Sequence, residues 1–273
     1  MDWITYVRTE ELTFFFKGVT YLGSEYIPLF LIPTLYWGVD KKAGIKLFII
    51  TIASFYIGYL LKNAFALERP PIALRLVEAG GFGFPSGHVM TATVVWGFLL
   101  LYIRRIYVSI SSIAIILLVA SSRLYLGVHY PIDVLGGIAC GAIILVLGEI
   151  ASGYIEKYKA FTPYLGIAAV GLAILASFLH KEPDVCWGMG LISGAIIGSL
   201  IEPFLANMKS GDSFRARFLR CVIGWVTLAS VWWIFDRLTP PADYGMLYLK
   251  MLAIGIYITA GAPFLFVRTK WTK

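Results

Sequence analysis

Long apolar runs broken by short charged stretches dominate the chain. Polar and apolar positions alternate over residues 2–22. Apolar runs then follow at roughly 25–39, 43–64, 86–103, 106–126, 131–150, 161–179, 186–206, 218–235 and 246–268. Most approach the ~20 residues a helix needs to cross hydrocarbon, and 25–39 is the short one. Backbone groups in lipid must bond within their own segment, so each run predicts a helix. The expected fold is all-α: a polytopic membrane helical bundle of about nine transmembrane helices. Residues 2–22 are expected to form an amphipathic helix lying in the membrane interface.

Composition agrees. The 273 residues are 59% hydrophobic and 14% charged, with a mean hydropathy of +0.80, where soluble domains carry about 25% charged residues. The net charge of +7 does not indicate nucleic acid, because the basic residues sit in short loops between apolar runs. The 15% of aromatic residues suits interfacial Trp and Tyr belts. Cys140, Cys186 and Cys221 form no C-x-x-C pair and read as small buried hydrophobes. With three histidines and no Cys/His cluster, neither a metal site nor a cofactor is expected. Met1–Glu11 holds Asp2, Arg8, Glu10 and Glu11 and no apolar core, so the first span is expected to direct insertion itself.

No low-complexity linker interrupts the chain. The best boundary is 151–160, ASGYIEKYKA. It divides residues 1–150, the interfacial helix and five spans, from a four-span extension at 151–273. Gly137 and Gly141, and Gly190, Gly194 and Gly198, recur four residues apart, which predicts close helix packing. The absence of an internal repeat disfavours an inverted-repeat transporter.

The predicted spans sort the Lys and Arg residues by side. Lys41, Lys42, Lys46, Arg104, Arg105, Lys157, Lys159, Lys209, Arg215, Arg217, Arg220, Arg268, Lys270 and Lys273 fall on one side, 14 of 23. Arg8, Lys17, Lys62, Arg69, Arg75, Arg123, Lys181, Arg237 and Lys250 fall on the other. The positive-inside rule makes the richer side cytoplasmic, so segments 62–88 and 123–133 are expected to face the periplasm, the exterior or a lumen.

Those segments carry the distinctive chemistry. Lys62 and Arg69-Pro70 follow the second span, Pro85-Ser86-Gly87-His88 opens the third, and Ser122-Arg123 with His129 and Asp133 bridges the fourth and fifth. Topology alone brings all three to one membrane face. Three cations at that face call for an anionic partner. Arg offers a donor fork matching phosphate, and Lys adds a point charge. Ser86 stands where an N-cap belongs, ahead of free helix N–H groups, and Gly87 lets an oxyanion come close. Lys62, Arg69, Ser86, Gly87 and Arg123 thus read as a phosphate cradle.

His88 and His129 supply a nucleophile and a general acid. Chemistry alone leaves open which one attacks. Asp133, four residues after His129 and in the first turn after Pro131, is spaced to fix the tautomer of His129. The cradle would stabilise charge on the transferring phosphoryl group, the work a metal does elsewhere. Neutral base and protonated acid together predict a bell-shaped pH–rate profile. Taken singly, each residue has an ordinary reading: a snorkelling cation, an interfacial histidine, a helix cap. Their conjunction does not. His180, Glu149, Asp184 and Glu202 have no such company and receive no role.

The pattern K-x6-R-P, P-S-G-H, S-R-x5-H-x3-D resembles the signature of the type 2 phosphatidate phosphatase superfamily, and all three motifs match over about residues 45–150. The resemblance implies a metal-independent membrane phosphatase acting on lipid phosphates or pyrophosphates. It implies that His129 forms a phosphohistidine supported by Asp133, that His88 is the general acid, and that Lys62, Arg69, Ser86, Gly87 and Arg123 bind phosphate. It does not fix the lipid: phosphatidate, sphingoid phosphates and polyprenyl pyrophosphates all stay open. The chain's length resembles sphingosine-1-phosphate phosphatase-like members, and 151–273 is expected to shape a lipid entrance or a homodimer contact. Partners are lipid substrates and membrane lipids, not nucleic acid. A lipid phosphotransferase is the alternative within the family, and an anion transporter the alternative outside it.

Overall fold

The computed structural model describes residues 6–209, 213–238 and 243–269. Residues 2–5 of the expected interfacial helix, and Lys270 and Lys273 of the charge count, lie outside them. The described residues are helical with no strand. Helices α1 (Glu10–Thr20), α2 (Tyr26–Gly38), α3 (Lys41–Phe65), α4 (Gly87–Ile103), α5 (Ile106–Tyr125) and α6 (Pro131–Lys157) come first. Helices α7 (Thr162–Leu179), α8 (Pro183–Leu205), α9 (Phe214–Leu238), α10 (Tyr244–Ile256) and α11 (Ala262–Arg268) follow.

Among the described residues, seven segments are long and apolar enough to cross a membrane: α3, α5, α6, α7 with its preceding turn, α8, α9, and Tyr244–Arg268, which joins α10 and α11. Helix α4 is apolar but has 17 residues. Helix α2, the expected first span, has 13, about 20 Å of rise against about 30 Å of hydrocarbon. Helix α1 starts at Glu10 because the Thr9 hydroxyl accepts the Leu12 N–H at 3.2 Å and two glutamates occupy the first turn. Helix α6 continues to Lys157, so most of the stretch 151–160 is helix rather than linker.

The helices gather into two compact units. One is the chain up to Phe30 with Ala53–Ala151; the other is Leu31–Ile52 with the chain from Ser152 onward. In the first, Val19, Val89, Ala92, Val119, Ala120 and Val134 form a core joining α1, α4, α5 and α6. Helix α6 lies close on α4: a Cβ at Gly137 would stand 2.8 Å from the Ser86 carbonyl oxygen, and one at Gly141 2.8 Å from Thr93 Cβ. In the second, Gly190 and Gly194 of α8 meet the backbone carbonyls of Tyr248 and Leu252 on α10, and Gly198 meets Thr259. Both glycine series therefore serve as packing surfaces, as their spacing predicts. Helix α7 leaves Ile167, Leu172 and Phe178 exposed, an apolar face suited to lipid.

Between α10 and α11 the chain makes a π-helical turn, Tyr257–Gly261. Its cause is local. Pro263 has no N–H for the Thr259 carbonyl, and the Ala262 N–H reaches back to Tyr257, leaving Ile258 without a helical donor. The Tyr36 hydroxyl donates to Thr259 O and Trp37 Nε1–H to Ile258 O, each at 2.8 Å. Both freed carbonyls are thus satisfied inside the protein, as a membrane interior requires.

Candidate active site

The site is built within the first unit from three short segments. The capping of α6 comes first. Pro131 opens the helix, Tyr130 precedes it, and Asp133 lies in the first turn. Asp133 Oδ2 accepts the Tyr130 N–H at 2.8 Å, as a carboxylate at this position does in a capping box. The same oxygen lies 3.2 Å from His129 Nδ1. Both residues are only 1% exposed.

On the other edge of the ring, Arg69 Nη1 lies 2.9 Å from His129 Nε2. A guanidinium can only donate, so Nε2 must present its lone pair and Nδ1 must carry the proton towards Asp133. That is the tautomer a nucleophilic Nε2 needs. Burial pulls the His129 pKa well below the ordinary histidine value; the bond to Asp133 opposes this, while Arg69, Arg123 and Lys62 reinforce it. All three cations therefore act on one imidazole.

The cations are anchored by backbone carbonyls. Arg69 Nε donates to Gly80 O and Gly81 O at 3.1 Å, and Nη1 to Val128 O at 3.0 Å. Lys62 Nζ donates to Phe82 O at 2.9 Å. Burial first, then Arg75, pulls the Arg69 pKa down, while Asp133 opposes. Arg75 itself holds the loop by donating to Pro70 O and Ala79 O at 2.8 and 3.0 Å. The long loop before α4 is thus held by cations bonding its carbonyls rather than by regular structure.

Ser86 occupies the N-cap position of α4, as its place in the sequence predicts, but its hydroxyl makes no capping bond. It is fully buried with no hydrogen-bond partner among the described residues, which leaves it open to a water or a ligand oxygen. Its N–H donates to Asp133 O at 2.9 Å and so ties the second motif to the third. A Cβ on Gly87 would meet nothing within 4 Å, so the helix start is open. His88 stands in the first turn of α4 and is half-buried. Arg123 is 4% exposed; its Nη1 donates to Thr20 Oγ1 at 2.6 Å and its Nε has no partner among the described residues. Ser122, also in the motif, spends its hydroxyl on Val119 O.

The sequence profile of the PAP2 superfamily matches residues 43–157, which hold all three motifs, and a PAP2 superfamily phosphatase transmembrane extension matches 187–273. Phosphatidylglycerophosphatase B of Bacillus subtilis is 32% identical over 57% of this chain and 81% of its own. The chain belongs to the PAP2 superfamily. Its PAP2 relatives include a probable sphingosine-1-phosphate phosphatase of Dictyostelium discoideum, 29% identical over 72% of this chain and 55% of that protein. A crystal structure of a transmembrane PAP2 type phosphatidylglycerolphosphate phosphatase from Bacillus subtilis aligns with a TM-score of 0.49 at 29% identity, covering 57% of this chain and 82% of that one. The chain spans between 45% and 62% of the length of the sphingosine-1-phosphate phosphatases it matches.

Four participants escape a reading of the sequence: Thr20, and the carbonyls of Gly80, Gly81 and Phe82. Thr20 lies 103 residues from Arg123, beyond any local pattern. The glycine-rich run Gly80-Gly81-Phe82-Gly83 was the available signal for the loop, since such runs bring backbone close to other groups.

Proposed function

We propose that this PAP2 protein is a membrane lipid phosphate phosphatase acting through a phosphohistidine on His129, without a metal. The observation that carries the reading is the orientation of that ring, with Nδ1–H towards Asp133 and the Nε2 lone pair beside Arg69. Nε2 attacks phosphorus while the bond to the lipid oxygen breaks, and His88 gives its proton to that oxygen. His88, now neutral, takes a proton from water. The hydroxide attacks phosphorus, the P–N bond breaks, and inorganic phosphate leaves with His129 restored. Asp133 stabilises the imidazolium character of His129 during transfer.

Lys62, Arg69 and Arg123, with the Ser86 hydroxyl and the open start of α4 at Gly87, receive the phosphate oxygens. This donor set is cationic and protic, so charge on the phosphoryl group is met by hydrogen bonds from fixed cations rather than by a carboxylate-held metal. Residues 1–150 form the phosphatase core in this reading, and 151–273 the family's transmembrane extension. The site faces away from the cytoplasm. Relatives named for sphingosine-1-phosphate and phosphatidylglycerophosphate support a lipid phosphomonoester as substrate.

The test is phosphate release from a panel of lipid phosphates and pyrophosphates in EDTA, comparing wild type with His129→Ala. Turnover of at least one lipid by wild type, and none by the variant, is expected. A variant as active as wild type, or activity that EDTA abolishes, overturns the mechanism.

A further inference from the structure

Helix α1 does more than lie against the unit that holds the site. Its last residue, Thr20, accepts a hydrogen bond from Arg123 Nη1 at 2.6 Å. Other contacts fix α1 at this place. Arg8 Nη2 donates to Leu74 O and Tyr125 O at 2.7 and 3.1 Å, Thr13 Oγ1 and Tyr125 Oη lie 3.2 Å apart, and the Phe16 and Tyr125 rings are 4.5 Å apart. Just beyond α1, a Cβ on Gly23 would stand 2.6 Å from the His88 carbonyl oxygen. The helix is therefore seated on two of the three motif segments at once.

Within a guanidinium, Nη1 lies on the same side as Cδ, while the Nε–H and one Nη2–H point together along the opposite edge. That edge is the one that meets two oxygens of a phosphate side by side. Thr20 occupies Nη1, and the buried Nε has no partner among the described residues. A buried, unpartnered N–H beside an anchored one is what a fork turned towards a ligand requires.

We propose that Thr20 is a positioning residue for Arg123, holding its guanidinium so that the Nε–Nη2 edge grips two phosphate oxygens. This rests on the phosphatase reading above. The hydroxyl of Thr20 touches neither substrate nor nucleophile, and its effect passes through Arg123. A freely turning Arg123 would supply charge without the fixed fork, so phosphate affinity would fall while the chemistry at His129 stayed intact.

The test uses the full chain in detergent micelles, with two readouts: KM against kcat for a lipid phosphate, and the concentration of inorganic phosphate that half-protects against thermal unfolding. Thr20→Val keeps the shape and removes the acceptor. It is expected to raise KM and the half-protecting concentration about tenfold, as loss of a hydrogen bond to a charged group does. Thr20→Ser keeps the acceptor and is expected within about twofold of wild type. In an Arg123→Lys background, which has no fork, the effect of Thr20→Val on protection is expected to shrink below about twofold. Thr20→Val values equal to wild type, or a full tenfold effect persisting with Arg123→Lys, overturn the proposal. Should Thr20→Val fail to accumulate, Thr20→Ala against Thr20→Ser carries the same comparison. A dead His129→Ala beside an unaffected Thr20→Val removes the role of Thr20 alone. An active His129→Ala removes the phosphatase site, and the role of Thr20 with it.

Discussion

His129 has one ring nitrogen 3.2 Å from Asp133 and the other 2.9 Å from Arg69, in a position 1% exposed to solvent. An ordinary histidine titrates near pH 6.5, and its protonated form has no lone pair with which to attack. Burial and the three cations lower the pKa of His129 more than Asp133 raises it. The neutral, attacking form therefore persists to lower pH than in an exposed histidine. The acid limb of kcat/KM against pH is expected to lie below about pH 6.5. An acid limb at or above that value would mean that His129 is not the group losing its proton. The pairing of His129 with Asp133 is legible in the sequence because Asp133 stands in the first turn after Pro131, where a carboxylate reaches back to the residues leading into the helix. The bonds from Arg69 to Val128 and from Arg123 to Thr20 are not. They depend on how separate segments fold together, and no spacing rule reaches across 59 or 103 residues.

At the scale of elements, the glycines of α8 mark where two backbones nearly touch. A methyl group on Gly194 would press on the Leu252 carbonyl, which belongs to a helix backbone and cannot swing away. Gly194→Ala is expected to lower the thermal midpoint in detergent, with an overpacking cost of about 1–3 kcal/mol. Gly171 of α7 has no atom within 4 Å of such a methyl, so Gly171→Ala should leave the midpoint unchanged or raise it, gaining up to about 1 kcal/mol of helix preference. Equal effects at the two positions would mean that α8 and α10 do not approach as described. Small residues four apart revealed this packing beforehand, because the repeat itself is the physical requirement. The π turn was not legible. Pro263 announces a lost N–H, but only the folded unit brings Tyr36 and Trp37 to the freed carbonyls. The short α2 is a further case: its apolar run suggested a span, and the helix that forms has 13 residues.

At the scale of the whole molecule, the proposed side of the site rests on the order of spans and the distribution of charge. Counting α2 as a span or not changes only the side of Arg8 and Lys17, since every later loop is ordered by α3 onward. The Arg8 side chain bonds Leu74 and Tyr125, which puts it with the site loops. Arg104 and Arg105 follow α4, Lys157 ends α6 and Lys159 follows it, and the site loops lie at the opposite ends of those helices. Under the positive-inside rule the site is then expected to face away from the cytoplasm. Two exposed positions distinguish the alternatives: Ile72 in the loop before α4, 79% exposed, and Lys159 after α6, whose side chain is 71% exposed. The background for both carries alanine at Cys140, Cys186 and Cys221. Expressed in a bacterium, Ile72→Cys is expected to react with a membrane-impermeant maleimide in intact cells, and Lys159→Cys only after lysis. The reverse pattern would turn the site towards the cytoplasm and make its substrate pool the inner leaflet. Labelling of both positions in intact cells would mean that α6 does not span, and the charge argument would fail at its first step.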